Sequence, residues 1–384
     1  MALSMALAGY TATEADELRR TMGNDRKRPR LLAALEKLRL AMVAQGIPEG
    51  VAEHLARDLQ SFANYGFPES HAWSFALIAY VTAWLKAHEP AAFYAGLLNA
   101  WPMGFYSPAT LVHDAKRHAV EVRGPCLARG EAFCTVEETD DPDAPALRIG
   151  WRFVRGVGER VLERLTAAQA ARPFASIDDV VRRARLTRGE AGALARAGAF
   201  GAWEPDRRRA AWSGLRVAGD TLPLAPVSSD DGASAFAPRA LAPHEAVTLD
   251  YRAVGLSTAG HPMERLRAWC RRMGVLDTTE VLQVPPGAQA TAAVAGLVTV
   301  RQRPQTAKGT VFLLLEDEHG SVNVIVSRTL DEAHYEVVRH AKFLAVYGRV
   351  EHNGPLVNVI AARFKSLDDL ANASELEHRS HDFR

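Results

Sequence analysis

"RIGWRFVRGVGERVLERLTAAQ", residues 148–169, contains a Gly156-Val157-Gly158 turn between two segments whose apolar residues have helical spacing. Glycine permits the tight turn, and it lets the amides of the turn and of the following helix approach an anion closely. Apolar residues on both sides would pack the two segments together: Ile149, Phe153, Val157, Val161 and Leu165. The pattern predicts a helix-hairpin-helix that holds a phosphate. A purely structural turn between two helices is the alternative.

A second helical pair follows in residues 176–200, "SIDDVVRRARLTRGEAGALARAGAF". Thr187 and Glu190 have the spacing of a capping box, and Gly198 is placed to end the second helix. Two hairpins in tandem predict a clamp on the backbone of duplex DNA that does not depend on base sequence. The predicted duplex contacts are Arg155, Gly156, Val157, Gly158, Arg160, Arg185, Thr187 and Arg188.

Charge supports this interpretation locally but not globally. The whole chain has 46 Lys and Arg against 45 Asp and Glu, so its net charge indicates little about partners. Residues 147–189 are different, because ten arginines stand there against four acids, an excess of six positive charges. Such a cluster attracts polyanions, and a solvated helix face is the other interpretation. The arginines are 148, 152, 155, 160, 164, 172, 182, 183, 185 and 188.

The pattern changes to that of strands near the carboxyl end. Five segments rich in β-branched and aromatic residues predict five strands, with a helix over residues 330–340 between the third and fourth. This order is that of an OB-fold barrel. The five segments are "TAAVAGLVTVRQ" (291–302), "TVFLLLED" (310–317), "SVNVIVS" (321–327), "KFLAVYGRV" (342–350) and "PLVNVIAARF" (355–364).

Alternation along the fourth strand suggests a nucleic-acid face on the barrel. Leu344, Val346 and Val350 would point to one side of the strand and another set to the opposite side. OB-folds bind single strands by stacking bases on aromatic rings above a basic groove. Some barrels of this kind mediate protein contacts instead. The predicted single-strand contacts are Arg301, Arg303, Lys308, Phe343, Tyr347 and Arg349.

Residues 1–123 have helical patterns, and residues 62–90, "FANYGFPESHAWSFALIAYVTAWLKAHEP", contain the most apolar of them. The run from Ala72 to Leu85 is too short to cross a bilayer, so we expect a buried core helix there. Three cysteines without metal-ligand spacing fit reduced thiols in a cytosolic protein. The amino terminus lacks the pattern of a secretory signal and begins as a chain cut inside a helix would.

Several stretches closely resemble the bacterial C-family DNA polymerases, the DNA polymerase III alpha-subunit family. They are "NYGFPESHAWSFA" (64–76), "LLNAWPMGFYSP" (97–108), the tandem hairpins, "YRAVGLSTAGHPMERLR" (251–267), the barrel and "SHDFR" (380–384). They look like the error-prone branch that acts in lesion bypass, and the match resembles the carboxy-terminal portion of that family. The stretch "RGPCLARGEAFCT" (123–135) departs from the family's pattern.

The resemblance implies a multidomain protein: an all-α fingers-like region and tandem helix-hairpin-helix region, followed by a five-stranded OB-fold β-barrel. The predicted divisions are partial fingers at 1–123, an irregular connector at 124–147, the hairpins at 148–217, a flexible linker at 218–243, a mixed connector at 244–288, the OB-fold at 289–366 and a tail at 367–384.

The resemblance also implies that fingers residues contact the nucleoside triphosphate or the template. The candidates are Arg19, Arg20, Ser70, His71 and Lys86. Considered singly, Ser70 could be a helix cap, His71 a core histidine, and Lys86 a side chain that extends to solvent from a helix end.

The palm carboxylates that hold two metal ions in the family are not found in this sequence, so we assign no catalytic or metal residue and expect the chain to be inactive alone. Magnesium is implied for the intact polymerase. The implied partners are primer-template duplex, single-stranded template, deoxynucleoside triphosphates and mutasome accessory proteins, in the cytoplasm. A free-standing DNA-binding adaptor is the second hypothesis. An RNA-binding barrel protein of translation is a third, but it leaves the fingers-like block unexplained.

Overall fold

The computed structural model describes residues 1–22, 28–63, 69–104, 106–219, 239–286, 290–304, 307–354, 356–372, 376, 378 and 380–383. The chain divides into two compact units, Met1–Trp84 and Leu85–Arg384. Most of the predicted linker at 218–243 lies outside the described residues, and the predicted domain divisions stay predictions.

The first unit is helical and has its own small core. Thr11 begins α2 with a capping box to Glu14, as expected where a hydroxyl side chain meets free helix amides. Leu18, Leu38 and Met42 are buried in the core. The helices are α1 (Ala2–Ala8), α2 (Ala12–Thr21), α3 (Arg28–Ala44), α4 (Glu49–Ala63) and α5 (Glu69–His88), the last of which continues into the second unit.

Helix α5 differs from the sequence prediction. A buried core helix was expected over Ala72–Leu85, yet large apolar side chains of α5 are exposed, with Trp73 at 72% and Tyr80 at 70%. The reason is that its apolar residues surround the whole helix, whereas the core of the first unit is closed by α1 to α4. Hydropathy alone therefore predicted the helix correctly but not its burial.

Helices also dominate the first part of the second unit. Pro90 and Pro108 lie in the first turns of α6 and α7, where their missing amides are not needed. A 3-10 turn at Trp151–Phe153 precedes the Gly-Val-Gly turn. The helices are α6 (Pro90–Asn99), α7 (Pro108–Arg117), α8 (Glu159–Ala171), α9 (Ile177–Arg183), α10 (Arg188–Arg196), α11 (Arg207–Gly219), α12 (Pro243–Ala253), α13 (Glu264–Arg272) and α14 (Thr278–Leu282).

The connector at 124–147, expected to be irregular, contributes to a three-stranded sheet. Strands β1 (Val122–Arg123), β2 (Thr135–Glu137) and β3 (Ala146–Arg148) pair in the order β1-β3-β2. Arg148 donates to both carboxylate oxygens of Glu137 at 2.7 Å, which ties β3 to β2. Strands of two or three residues are too short for alternation to reveal them in a sequence.

Five strands close into the predicted barrel. Its strands are β4 (Thr291–Gln302), β5 (Val311–Glu316), β6 (Ser321–Val326), β7 (Phe343–Asn353) and β8 (Leu356–Ser366). They pair in the order β4-β5-β6-β8-β7, and β7 pairs again with β4. Strands β6 and β8 run parallel, and the other barrel pairs are antiparallel. The expected helix is two short ones, α15 (Arg328–Ala333) and α16 (Tyr335–His340).

The barrel is the OB-fold expected from the sequence, followed by one further strand. Strand β9 (His381–Phe383) pairs in parallel with Val300–Gln302 of β4. Arg267 of α13 donates to Asp317 at 2.9 Å and to Glu318 at 2.5 Å, next to the end of β5. Charge-assisted bonds of this kind fix the connector helices against the barrel.

Candidate nucleic-acid interface

The first hairpin turns at Gly156, which has a φ of +88°. A Cβ atom at Gly156 would lie 3.3 Å from the Cβ of Ala193 on α10, so the two hairpins approach each other closely here. Val157 is buried beneath the turn. A helix was expected before this turn, but only the 3-10 turn at Trp151–Phe153 forms. The reason is the extended backbone at Gly150, which packs directly on the backbone of Phe133. A Cβ atom on Gly150 would overlap that backbone.

The amino end of α8 is available to an anion. Gly158 is its N-cap and supplies no side-chain hydrogen bond. Within the described part of the chain, the amides of Gly158, Glu159 and Arg160 donate to no carbonyl or side chain. A Cβ atom built on Gly158 meets nothing within 4 Å. Open space in front of unengaged helix amides is the geometry that binds a phosphate.

The second hairpin joins α9 to α10 through residues 184–187. Arg185 takes a φ of +50°, and Thr187 caps α10 in the predicted box with Glu190. Gly198, with a φ of +76°, follows the end of α10 as predicted. Because the capping box satisfies the amides of Thr187 and Glu190, the second hairpin offers an anion fewer backbone donors than the first.

The arginine cluster separates into three groups. Five side chains bind protein groups: Arg148 to Glu137, Arg152 to the carbonyl oxygens of Asn99 and Trp101, Arg164 to Glu190, and both Arg172 and Arg183 to Asp179. Arg155 is exposed and donates to the Arg252 carbonyl at 3.1 Å. Four more are exposed and have no ion pair within the described residues: Arg160, Arg182, Arg185 and Arg188. The local excess of charge therefore rests mainly on these last four arginines.

Arg164 connects the two hairpins. Its guanidinium on α8 donates to the carbonyl oxygens of Ala184 and Arg185 at 3.0 and 2.5 Å, and to Glu190 at 2.8 Å. One planar side chain thus donates hydrogen bonds both to the loop carbonyls of the second hairpin and to the carboxylate of its capping box. These hydrogen bonds fix the distance between the turns at Gly156 and Arg185.

The first hairpin opens onto a cleft of about 1210 Å³. Gly156, Val157 and Gly158 line one part of this cleft, and Lys342 and His378 line another. Lys342 stands directly before β7, so the hairpin and the barrel share the same opening.

Strands β7 and β8 carry a polar face on the outside of the barrel. Tyr347 and Arg349 are exposed, as alternation predicted, while Leu344, Val346 and Val350 are buried. Arg363, paired across the strands with Tyr347, places its guanidinium 4.8 Å from the ring centre. The Tyr347 hydroxyl donates to Thr291 at 3.2 Å. Sequence reasoning missed Arg363 and the exposed Lys365, although both follow the alternation of β8.

The other predicted single-strand contacts lie elsewhere. Phe343 is 1% exposed and belongs to the core shared with the helical part, so its assignment to the binding face was wrong. Arg301 is half-buried and donates to the Val338 carbonyl at 2.8 Å. Arg303 lies 3.4 Å from Asp331, and Lys308 is exposed in the loop between β4 and β5. Of this set, only Tyr347 and Arg349 share one face.

The predicted fingers contacts also divide. Arg19 and Arg20 both pair with Asp16, at 2.9 and 2.8 Å, on the exposed side of α2. The side chain of Ser70 lies outside the described residues. His71 is exposed with its ring 4.3 Å from that of Phe75, so it is not a core histidine.

Lys86 binds a protein carboxylate rather than extending freely into solvent. Its Nζ donates to Asp114 at 2.9 Å, and the Tyr94 hydroxyl donates to the same carboxylate at 2.5 Å. Burial alone would raise the pKa of Asp114, but these two hydrogen bonds outweigh it and lower the pKa below its usual value. Asp114 is therefore ionised at neutral pH and fixes the end of α5 to α6 and α7.

A buried polar cluster joins α7 to the barrel. His113 Nδ1 lies 2.5 Å from Glu316, and His261 Nε2 lies 3.7 Å from the same oxygen. Burial lowers the pKa of His113. Burial would raise the pKa of Glu316, but the two imidazoles outweigh this effect and lower that pKa. His261 Nδ1 accepts from the Met263 amide, so its proton is on Nε2 and that nitrogen has no lone pair for a metal. The cluster is a polar contact between helix and barrel.

Comparisons with known proteins identify one motif and several relatives of this chain. The family model for the helix-hairpin-helix motif matches residues 119–210. The error-prone DNA polymerase of Anaeromyxobacter dehalogenans (strain 2CP-C) is 44% identical over 389 aligned residues, which cover 100% of this chain and 34% of the relative. That of Azoarcus sp. (strain BH72) is 43% identical and covers 100% of this chain and 36% of the relative.

The chain is homologous to the error-prone DNA polymerases along its whole length. The resemblance to the error-prone branch is thereby confirmed, and the helix-hairpin-helix region is confirmed with it. The chain spans about a third of the length of the curated error-prone DNA polymerases it matches. No helix among the described residues is both long and apolar enough to span a membrane.

Among solved structures, asparaginyl-tRNA synthetase from Pyrococcus horikoshii matches 24% of this chain and 22% of its own, with a TM-score of 0.21 and 17% identity. The Stn1-ten1 complex of S. pombe matches with a TM-score of 0.18 and 15% identity over 22% of this chain and 62% of that chain.

Proposed function

We propose that this chain supplies the DNA-gripping part of an error-prone DNA polymerase that acts in translesion synthesis and DNA damage tolerance in the cytoplasm. The tandem hairpins hold the primer-template duplex, and the outer face of β7 and β8 contacts single-stranded template. One observation carries the proposal: unengaged amides at Gly158 open onto free space beside exposed arginines, in a chain homologous to error-prone DNA polymerases along its whole length.

The hairpins would bind the phosphate backbone without reading bases. Amides at Gly158 and Glu159 donate to one phosphate oxygen, and Arg160 adds charge at the same point. Arg185 and Arg188 on the second hairpin approach a second phosphate. Affinity for duplex then depends strongly on salt and little on base sequence.

Nucleotidyl transfer itself would use magnesium ions held by carboxylates. Among the described residues, the His, Cys, Asp or Glu side chains grouped for a metal are His113, His261 and Glu316. That group has one carboxylate, already bound to His113, so it does not fit ions that take mainly oxygen ligands. We therefore propose that the metal-binding carboxylates lie outside this chain, and that deoxynucleoside triphosphates and mutasome accessory proteins are partners of the intact polymerase.

The test uses random-sequence duplex DNA, fluorescence anisotropy and a salt series. The double variant Arg160→Ala/Arg188→Ala should lower the slope of log K against log salt by up to about 0.9 for each phosphate that the protein no longer neutralises. Arg172→Ala is the matched control, because Arg172 is exposed in the same region but already paired with Asp179 at 2.8 Å. A slope that is the same in all three proteins would contradict the duplex clamp.

A free-standing DNA-binding adaptor is the second candidate, and the chain's span of about a third of its relatives keeps it open. The coding sequence ahead of Met1 distinguishes the two. An in-frame segment that encodes palm carboxylates favours the polymerase, whereas its absence favours the adaptor.

A further inference from the structure

Helix α5 presents a row of large apolar side chains to solvent. We call Trp73, Leu77 and Tyr80 the α5 stripe; their exposed fractions are 72%, 65% and 70%. Monomeric proteins rarely leave contiguous apolar surface of this kind uncovered, and such surface usually marks a protein interface.

The spacing of the stripe fits a partner of definite shape. Its residues follow one another at intervals of four and three, and at about 100° per residue they lie within roughly 60° of arc on one side of the helix. The row is about 10 Å long at 1.5 Å per residue. This is the seam by which a helix packs into an apolar groove of another polypeptide.

The chemistry of the helix excludes DNA as the main occupant. No charged residue stands between Ala72 and Leu85, so this length of α5 offers no cation to a phosphate. The occupant therefore has to be an apolar protein surface.

We infer that the α5 stripe docks into an apolar groove of the polypeptide that corresponds to the remainder of the homologous polymerases. This inference rests on the proposed function. The relatives extend well beyond the match, because the aligned residues cover only 34% and 36% of them. In an intact enzyme of this kind the stripe would contact that remainder, since it is apolar surface of the right size and periodicity to do so.

The first test measures association. The probe is the part of the Anaeromyxobacter dehalogenans polymerase outside the match, expressed as a separate polypeptide and titrated against this full chain. Trp73→Gln/Leu77→Gln/Tyr80→Gln should weaken association by about tenfold or more, since aromatic anchors dominate interfaces. Phe75→Gln/Ile78→Gln is the control: both residues are exposed on α5, at 54% and 58%, but lie off the stripe. Equal weakening in both variants overturns the inference.

The second test does not depend on that probe folding alone. The remainder of the relative is joined to this chain in one polypeptide, and hydroxyl-radical labelling is compared with the chain by itself. Labelling of Trp73 and Tyr80 should fall severalfold in the joined protein, while that of Tyr335, exposed at 47% in the barrel region, stays the same. Unchanged labelling of the stripe overturns the inference.

Two further outcomes would also overturn it. Protection of the stripe in the monomeric chain alone would show that the chain covers it itself. Protection that rises with concentration together with dimer formation would make a second copy the occupant. The stripe variants should bind duplex DNA as tightly as the parent does. The association assay therefore tests the docking, and duplex affinity tests the DNA clamp independently.

Discussion

At the scale of single residues, the two glycines of the first hairpin serve different purposes. Gly156 needs its φ of +88° and faces Ala193 at 3.3 Å, so any side chain there strains the turn. Gly158 has an ordinary negative φ of −81° and open space in front of it. The fold does not require a glycine there, whereas the proposed phosphate site would use the open space.

Gly158→Val is therefore expected to fold normally and to bind duplex DNA at least about tenfold more weakly, because one charge-assisted hydrogen bond to a phosphate is worth roughly 1.5–3 kcal/mol. The weakening should be similar for every base sequence. Anisotropy measures affinity, and thermal unfolding checks stability. If the variant binds more weakly only because it is partly unfolded, the glycine is structural and the phosphate site lies elsewhere.

His378 predicts how stability depends on pH. Burial lowers its pKa to about 4, although the hydrogen bond to the Val298 carbonyl opposes this, whereas an unfolded histidine has a pKa near 6.5. Between those values the unfolded chain binds more protons. The free energy of unfolding should fall by roughly 1.4 kcal/mol for each pH unit as pH drops through this window.

His378→Gln keeps an amide donor for Val298 but does not titrate, so denaturant unfolding at pH 6.5 and 4.5 should show a smaller difference than in the parent. The stability difference that remains in this variant is expected to come from His113, whose pKa is also lowered by burial. An identical difference in both proteins would assign the pH dependence to other groups.

At the scale of elements, sequence reasoning succeeded where one pattern had one structural meaning. Strand β4 begins and ends at the predicted residues, since its β-branched residues favour a strand. It failed at α5, because uniform hydropathy shows that a surface is apolar but not what covers it. It failed at Phe343 for a related reason, because alternation separates two faces of a strand without showing that the outer one is also packed.

Strand β7 gives paired variants with opposite readouts. Tyr347→Ala should weaken oligothymidine binding by roughly 1–3 kcal/mol if a base stacks on the ring face opposite Arg363. Phe343→Ala should instead lower stability by about 3–5 kcal/mol through the cavity it leaves, with little direct effect on binding. Anisotropy and urea unfolding separate the two. A Tyr347→Ala variant that binds like the parent would move the single-strand site away from this face.

At the scale of the whole molecule, the purified chain with primer-template, four deoxynucleotides and magnesium is expected to extend no primer. The reason is chemical: in-line displacement needs two metal ions on paired carboxylates, and the described residues group only one carboxylate with two histidines. A gel-based extension assay, after removal of contaminating polymerases, measures this. Primer extension that co-purifies with the chain would refute the expectation.

Arg164 has a consequence for what kind of double helix can be bound. Since it fastens α8 to the loop of the second hairpin, the two turns cannot adjust their separation to suit a ligand. Two anchors at a constant distance match one spacing of backbone phosphates across a groove, and A-form and B-form helices differ in groove width and depth. The chain would then distinguish duplex DNA from duplex RNA by geometry alone, without contacting a single 2′-hydroxyl.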